Sequence, residues 1–87
     1  MNSFKLIISS PEGDIWSGDA VMLSVRGISG ELAILAGHIP FITSLKPCDC
    51  KIELDEGDDL IGTIDGGLLT VSKDRVSLLS GSFKWKK

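Results

Sequence analysis

The sequence has one histidine, two cysteines and three prolines. It has no apolar run near the about 20 residues that a membrane-spanning helix needs. Each shortage excludes something. With His38 as the sole imidazole, no histidine relay can be assembled, and no serine sits in a Gly-x-Ser-x-Gly elbow. A catalytic constellation is therefore not expected. Cys48 and Cys50 are too few for a disulfide framework and point to a reducing compartment. Lys and Arg number 9 against 12 Asp and Glu, a net charge of −3, which is the wrong balance for a general nucleic-acid binder. The opening Met1-Asn2-Ser3-Phe4-Lys5 lacks the parts of a signal peptide, so export is not expected.

What is present is apolar and periodic. The 87 residues have room for one domain with a thin core. Hydrophobic residues make up 43% and mean hydropathy is +0.23, which excludes a disordered, charge-dominated chain. That content is high for a small soluble domain, so part of it needs a place outside the core. The period is two. Phe4, Leu6 and Ile8 alternate with Lys5, Ile7 and Ser9, and Val21, Leu23 and Val25 with Met22 and Ser24. Cys48, Cys50, Ile52 and Leu54, then Leu69 and Val71, then Val76 and Leu78 repeat the pattern. Alternation marks half-buried strands. Turn signals separate them: Pro11-Glu12-Gly13-Asp14, Ser17-Gly18-Asp19, Gly27-Ile28-Ser29-Gly30, Glu56-Gly57-Asp58-Asp59, Asp65-Gly66-Gly67 and Lys73-Asp74. These patterns predict an all-β domain, an antiparallel β-sandwich or flattened barrel of short strands in two sheets over residues 1–82. Residues 83–87 read as a short basic, frayed and solubilising tail.

One segment breaks the alternation. Leu35-Ala36-Gly37-His38-Ile39-Pro40-Phe41-Ile42 is apolar and contains a turn-forming glycine and a proline. Its side chains cannot all enter one thin core, so either some face a partner or the loop buries itself against one end of the sandwich. The Cys48-Asp49-Cys50 run offers half a metal site without a second pair, and the strand pattern turns both thiols inward as small hydrophobes. Glu53, Asp55, Glu56, Asp58 and Asp59 lack the spacing of an EF-hand and read as a solvated hairpin tip. Gly66-Gly67 reads as a bend between strands. No cofactor, metal or small-molecule substrate is expected.

The run Gly30-Glu31-Leu32-Ala33-Ile34-Leu35-Ala36-Gly37-His38-Ile39-Pro40-Phe41, followed by Leu45-Lys46-Pro47, resembles the epsilon subunit of the F-type ATP synthase in its N-terminal β-sandwich domain. Ile8-Ser9-Ser10-Pro11-Glu12, Trp16-Ser17-Gly18 and Gly66-Gly67-Leu68-Leu69-Thr70-Val71 extend the likeness over about residues 4–80. The resemblance implies a ten-stranded sandwich at the foot of the rotating central stalk. Such a module is non-catalytic, joins the γ subunit to the membrane c ring, and couples ion-driven rotation to ATP synthesis. Carried over by position, Ser10, His38, Ile39, Pro40, Phe41 and Thr43 would face γ and Glu31 would face the c-ring loops. The implied place is peripheral, on the cytoplasmic face of a bacterial inner membrane and membrane-bound only through the complex. Ala33, Ala36 and Cys48 depart from the family pattern. Family members commonly continue into a helical hairpin that restrains hydrolysis, and the sequence stops before one. A short form with no self-inhibition and no ATP binding is the expectation. Outside that family, the residues fit a free-standing β-sandwich that binds or regulates something else, or a Cys-x-Cys metal carrier if the thiols were exposed.

Overall fold

Alternation becomes ten strands and no helix in a computed structural model that describes residues 2–86. Met1 and Lys87, the outer ends of the expected domain and tail, lie outside the described residues. In chain order the strands are β1 (Phe4–Ser10), β2 (Gly13–Ala20), β3 (Met22–Gly27), β4 (Gly30–Leu35) and β5 (Phe41–Leu45). There follow β6 (Cys48–Glu53), β7 (Leu60–Ile64), β8 (Gly67–Val71), β9 (Val76–Leu79) and β10 (Lys84–Trp85). They form one curled sheet in the order β10-β7-β6-β3-β5-β8-β9-β1-β2, with β4 on β3.

The two expected sheets are the two halves of this ladder. One half holds β10, β7, β6, β3 and β4, and the other holds β5, β8, β9, β1 and β2. A single pair, Gly27 with Leu45, joins them. There the end of β3 leaves β6 and takes β5 as its partner. Ile28 N donates to Ser44 O at 3.1 Å and Lys46 N donates to Arg26 O at 2.9 Å, bracketing the pair. Arg26 N, stranded by the change of partner, donates to Cys48 Sγ at 3.4 Å. Every pairing is antiparallel except β1 with β9, where Leu6 to Ser9 run parallel to Val76 to Leu79.

The core lies between the halves. Leu6, Ile8, Leu45, Leu69, Val71, Val76 and Leu78 from one meet Leu23, Val25, Ile34, Cys50, Ile52 and Ile64 from the other in a single buried cluster. These are the alternate residues that period two selects.

Two sequence expectations need correction. Ser17-Gly18-Asp19 is not a turn but the middle of β2. Gly18 is required there because the Trp16 ring lies across it, and an added Cβ would sit 2.9 Å from the indole. Phe83–Lys86 is not a frayed tail. β10 pairs with Thr63 and Gly62 of β7, Lys86 N donates to Ile61 O at 2.8 Å, and the Phe83 ring occupies the space that Gly62 leaves. Lys86 Nζ also pairs with Asp49 at 2.8 Å. The Gly66-Gly67 bend stands as expected, with Gly66 at φ +144°, and connects β7 to β8.

Adjacent residues test this packing. Leu69 is buried while Leu68 points outward. Leu69→Ala should lower the free energy of unfolding by about 2–5 kcal/mol. Leu68→Ala should change it by about 0.5 kcal/mol or less. Urea titration of both variants checks the assignment of faces.

Candidate functional site

Two neighbouring residues on a strand face opposite sides of the sheet, so a pair of adjacent apolar residues places one outside. The half-sheet from β5 to β2 contains several such pairs. Phe41 packs on the core and Ile42 is 68% exposed. Leu69 is buried and Leu68 is 40% exposed; Leu78 is buried and Leu79 is 42% exposed. Ile8 is buried and Ile7 half-buried. Cross-strand register gathers the outward members. One row runs Ile42, Thr70, Ser77, Ile7, Ser17, and the next runs Ser44, Leu68, Leu79, Ser9, Asp14. Leu68 and Leu79 stand directly opposite each other. Asp14, at the far end, is the one charge in these two rows.

The irregular segment between β4 and β5 adjoins this face. Gly37 takes φ +82°, a left-handed conformation that glycine adopts without strain, and turns the chain. His38, Ile39 and Pro40 are all exposed, Ile39 by 81%. The His38 ring leans on Phe41 with centroids 5.7 Å apart, which links the loop to the core. Of the two outcomes posed for this segment, exposure holds for residues 38–40, and Phe41 alone turns in.

The remaining predicted residues do not join them. Thr43 pairs with buried Leu69 and shares its inner face, because period two reverses the side of Ile42. Ser10 lies at the end of β1, and its neighbour Ser9 is level with Ser44, three strands away from β5. That separation is about 14 Å across the sheet. The Ser10 hydroxyl serves its own turn, accepting from Glu12 N and donating to Gly13 O. Ile42 closes the apolar segment that the sequence marks, whereas Leu68, Leu79 and Ile7 carry no such mark beyond their places in adjacent apolar pairs.

The other half-sheet is different outside. Arg26 pairs with Glu31 at 3.4 Å, Lys51 with Asp59 at 3.6 Å and Lys86 with Asp49 at 2.8 Å. An open groove of about 610 Å³ over β3 is lined by Arg26, Glu31, Ala33, Asp49 and Lys51 among others. Glu31 is thus at the tip of the β3–β4 hairpin, on a charged surface and away from Ile42. Solvated pairs of this kind contribute little, about 0–1 kcal/mol each. Cys50 is fully buried, and Cys48 is half-buried beside it. Burial pushes the Cys50 thiol up to about 12, helped by neighbouring Cys48 and Asp49. Among the described residues no three His, Cys, Asp or Glu side chains come together. Nor is any helix there long and apolar enough to cross a membrane.

Comparison with known proteins agrees with this architecture. The sequence profile described as "ATP synthase, Delta/Epsilon chain, beta-sandwich domain" matches residues 3–86. The ATP synthase epsilon chain of Chromohalobacter salexigens is 41% identical over 80 residues, covering 92% of this chain and 57% of that one. The epsilon chain of Bacillus licheniformis is 38% identical over 80 residues, covering 92% and 60%. The chain therefore spans somewhat more than half the length of these relatives. In fold it is similar to a chain of the Euglena gracilis mitochondrial ATP synthase, seen by cryo-EM with OSCP, F1 and c-ring. The TM-score is 0.88 at 21% identity, over 95% of this chain and 53% of that one. A chain of the Tetrahymena thermophila mitochondrial central stalk and c-ring gives 0.78 at 14% identity, over 95% and 66%.

The Cys50 thiol makes a pH prediction. Unfolded Cys50 ionises near its ordinary 9.0, whereas the folded thiol stays protonated to about 12. Its contribution is intact below pH 9 and is lost as pH rises from there towards 12, by at most about 1.4 kcal/mol per pH unit. Cys50→Ala should flatten this alkaline decline in denaturant titrations at pH 8 to 11.

Proposed function

The chain belongs to the ATP synthase delta/epsilon-chain β-sandwich family, and on that premise we propose that it is a non-catalytic rotor module of an F-type ATP synthase. It joins the γ subunit to the c ring, so that rotation driven by ions at the membrane reaches the catalytic head. Its place is the cytoplasmic face of the membrane, held there through the complex.

The observation that carries this reading is the pair of uncharged rows across the outer face of β5, β8, β9 and β1, beside the exposed loop at His38–Pro40. Monomeric domains seldom leave Ile39 81% and Ile42 68% exposed on one side without a partner. We assign γ to this face. Ile39, Ile42, Leu68 and Leu79 supply buried apolar area, and His38 and Pro40 shape the loop. Phe41 acts from behind, by holding the His38 ring. Ser10 and Thr43, also carried over from the family, stand at the far end and on the inner side respectively, so direct γ contact is assigned to neither. Glu31, exposed on the charged half, is the side chain offered to the polar loops of the c ring. A rim carboxylate of this kind sets orientation more than affinity.

The residues at the centre of an interface carry most of its energy. Ile42→Asp should weaken binding to a cognate γ subunit by about 2 kcal/mol or more, with folding intact because position 42 faces solvent in the free chain. Asp49→Ala, on the opposite outer face, should leave affinity unchanged. Calorimetric titration of γ with both variants is the test. Undiminished binding by Ile42→Asp would remove this face from the interface.

A further inference from the structure

The curled sheet has three free sides, and two of them are defended. β2 carries Asp14 and Asp19 and a bulge opposite Ile8 and Ser9. β7 is covered by β10, only two residues long, which begins with Lys84 and is followed by Lys86. Short edges, charges and bulges are the usual means of keeping a strand edge from pairing with another chain. β4 is the least defended of the three. Gly30–Leu35 is six residues long with Glu31 as its one charge and neither lysine, proline nor bulge, and it pairs with β3 alone.

The direction of its free backbone groups follows from its neighbour. Arg26 turns its N–H to Cys48 Sγ and its C=O to Lys46 N, both away from β4. In an antiparallel ladder such residues alternate with those that bond across. The Arg26–Glu31, Ser24–Ala33 and Met22–Leu35 pairs are therefore the non-bonded ones. Glu31, Ala33 and Leu35 must point their N–H and C=O groups out from the free side of β4. That is a row of alternating donors and acceptors, and it leads directly into the apolar loop at residues 36–40.

We propose that β4 is a strand-docking edge, and that an extended, largely uncharged segment of γ pairs with Glu31, Ala33 and Leu35 by main-chain hydrogen bonds. This rests on the assignment of γ to the adjoining loop and gives that interface its register. The alternate side chains of a neutral segment can cover Leu35, which is half exposed.

Ala33→Pro tests the edge. It removes one outward N–H and leaves the β3–β4 bonds intact, since Ala33 gives none to β3. Calorimetry should show γ affinity reduced about tenfold or more by Ala33→Pro. Ala33→Ser, which keeps the N–H, should bind as wild type does. Amide exchange by NMR supplies a readout on the unaltered chain. On adding γ, Glu31, Ala33 and Leu35 should slow by about tenfold or more while Leu32 and Ile34 change little. Wild-type affinity in Ala33→Pro, or no alternation in protection, overturns the docking edge and leaves the γ assignment standing. Failure of the wild-type chain to bind γ overturns both. Alternating protection that depends on concentration without γ gives the edge to a second copy and overturns the proposal.

Discussion

A β-strand cannot bury two consecutive side chains on the same face, and the rest of this structure depends on that constraint. The chain is rich in adjacent apolar pairs, and each pair splits across the sheet. Ile7 and Ile8, Phe41 and Ile42, Leu68 and Leu69, and Leu78 and Leu79 each give one member to the core. Register then collects the rejected members of four strands onto one outer surface. The high apolar content of so small a domain is thereby explained. Part of the apolar content builds the core and part lies on this outer face.

The corner at Gly27 and Leu45 makes the two outer faces independent. Because β3 changes partner there, one hydrogen-bonded ladder supplies both layers, and each layer keeps its own outer chemistry. The layer from β4 to β10 is crossed by exposed ion pairs, which cost little to hydrate and add little adhesion. The layer from β5 to β2 is nearly free of charge in its central rows. Such a division suits a module that grips one partner firmly and meets another through polar contacts. In this account the first is γ and the second is the c ring, with Glu31 on the polar side.

Much of this was legible in the residues. Strict alternation at Phe4–Ile8, Leu23–Val25, Cys50–Leu54 and Val76–Leu78 marked strands where strands occur. Hairpin glycines marked the turns at Gly30 and Gly66. What failed depended on contacts distant in sequence or on register. Gly18 reads as a turn residue until the Trp16 ring is seen across it. β10 is invisible at two residues because Phe83 and Gly62 make it, and they are brought together only by the fold. For the site, the broken alternation at Leu35–Ile42 marks the segment that holds exposed His38, Ile39, Pro40 and Ile42. Thr43 is carried over from the family with them, although period two puts it on the inner side. Ser10 was placed with them by family likeness, and only strand order shows how far from β5 it lies.

The central claim is that γ sits on the apolar outer face and not on the charged one. A photo-reactive benzoylphenylalanine at position 42 or at position 49, irradiated in the assembled complex, tests it directly. The account predicts a cross-link to γ from position 42 and none from position 49. A γ cross-link from position 49 with none from position 42 would contradict it.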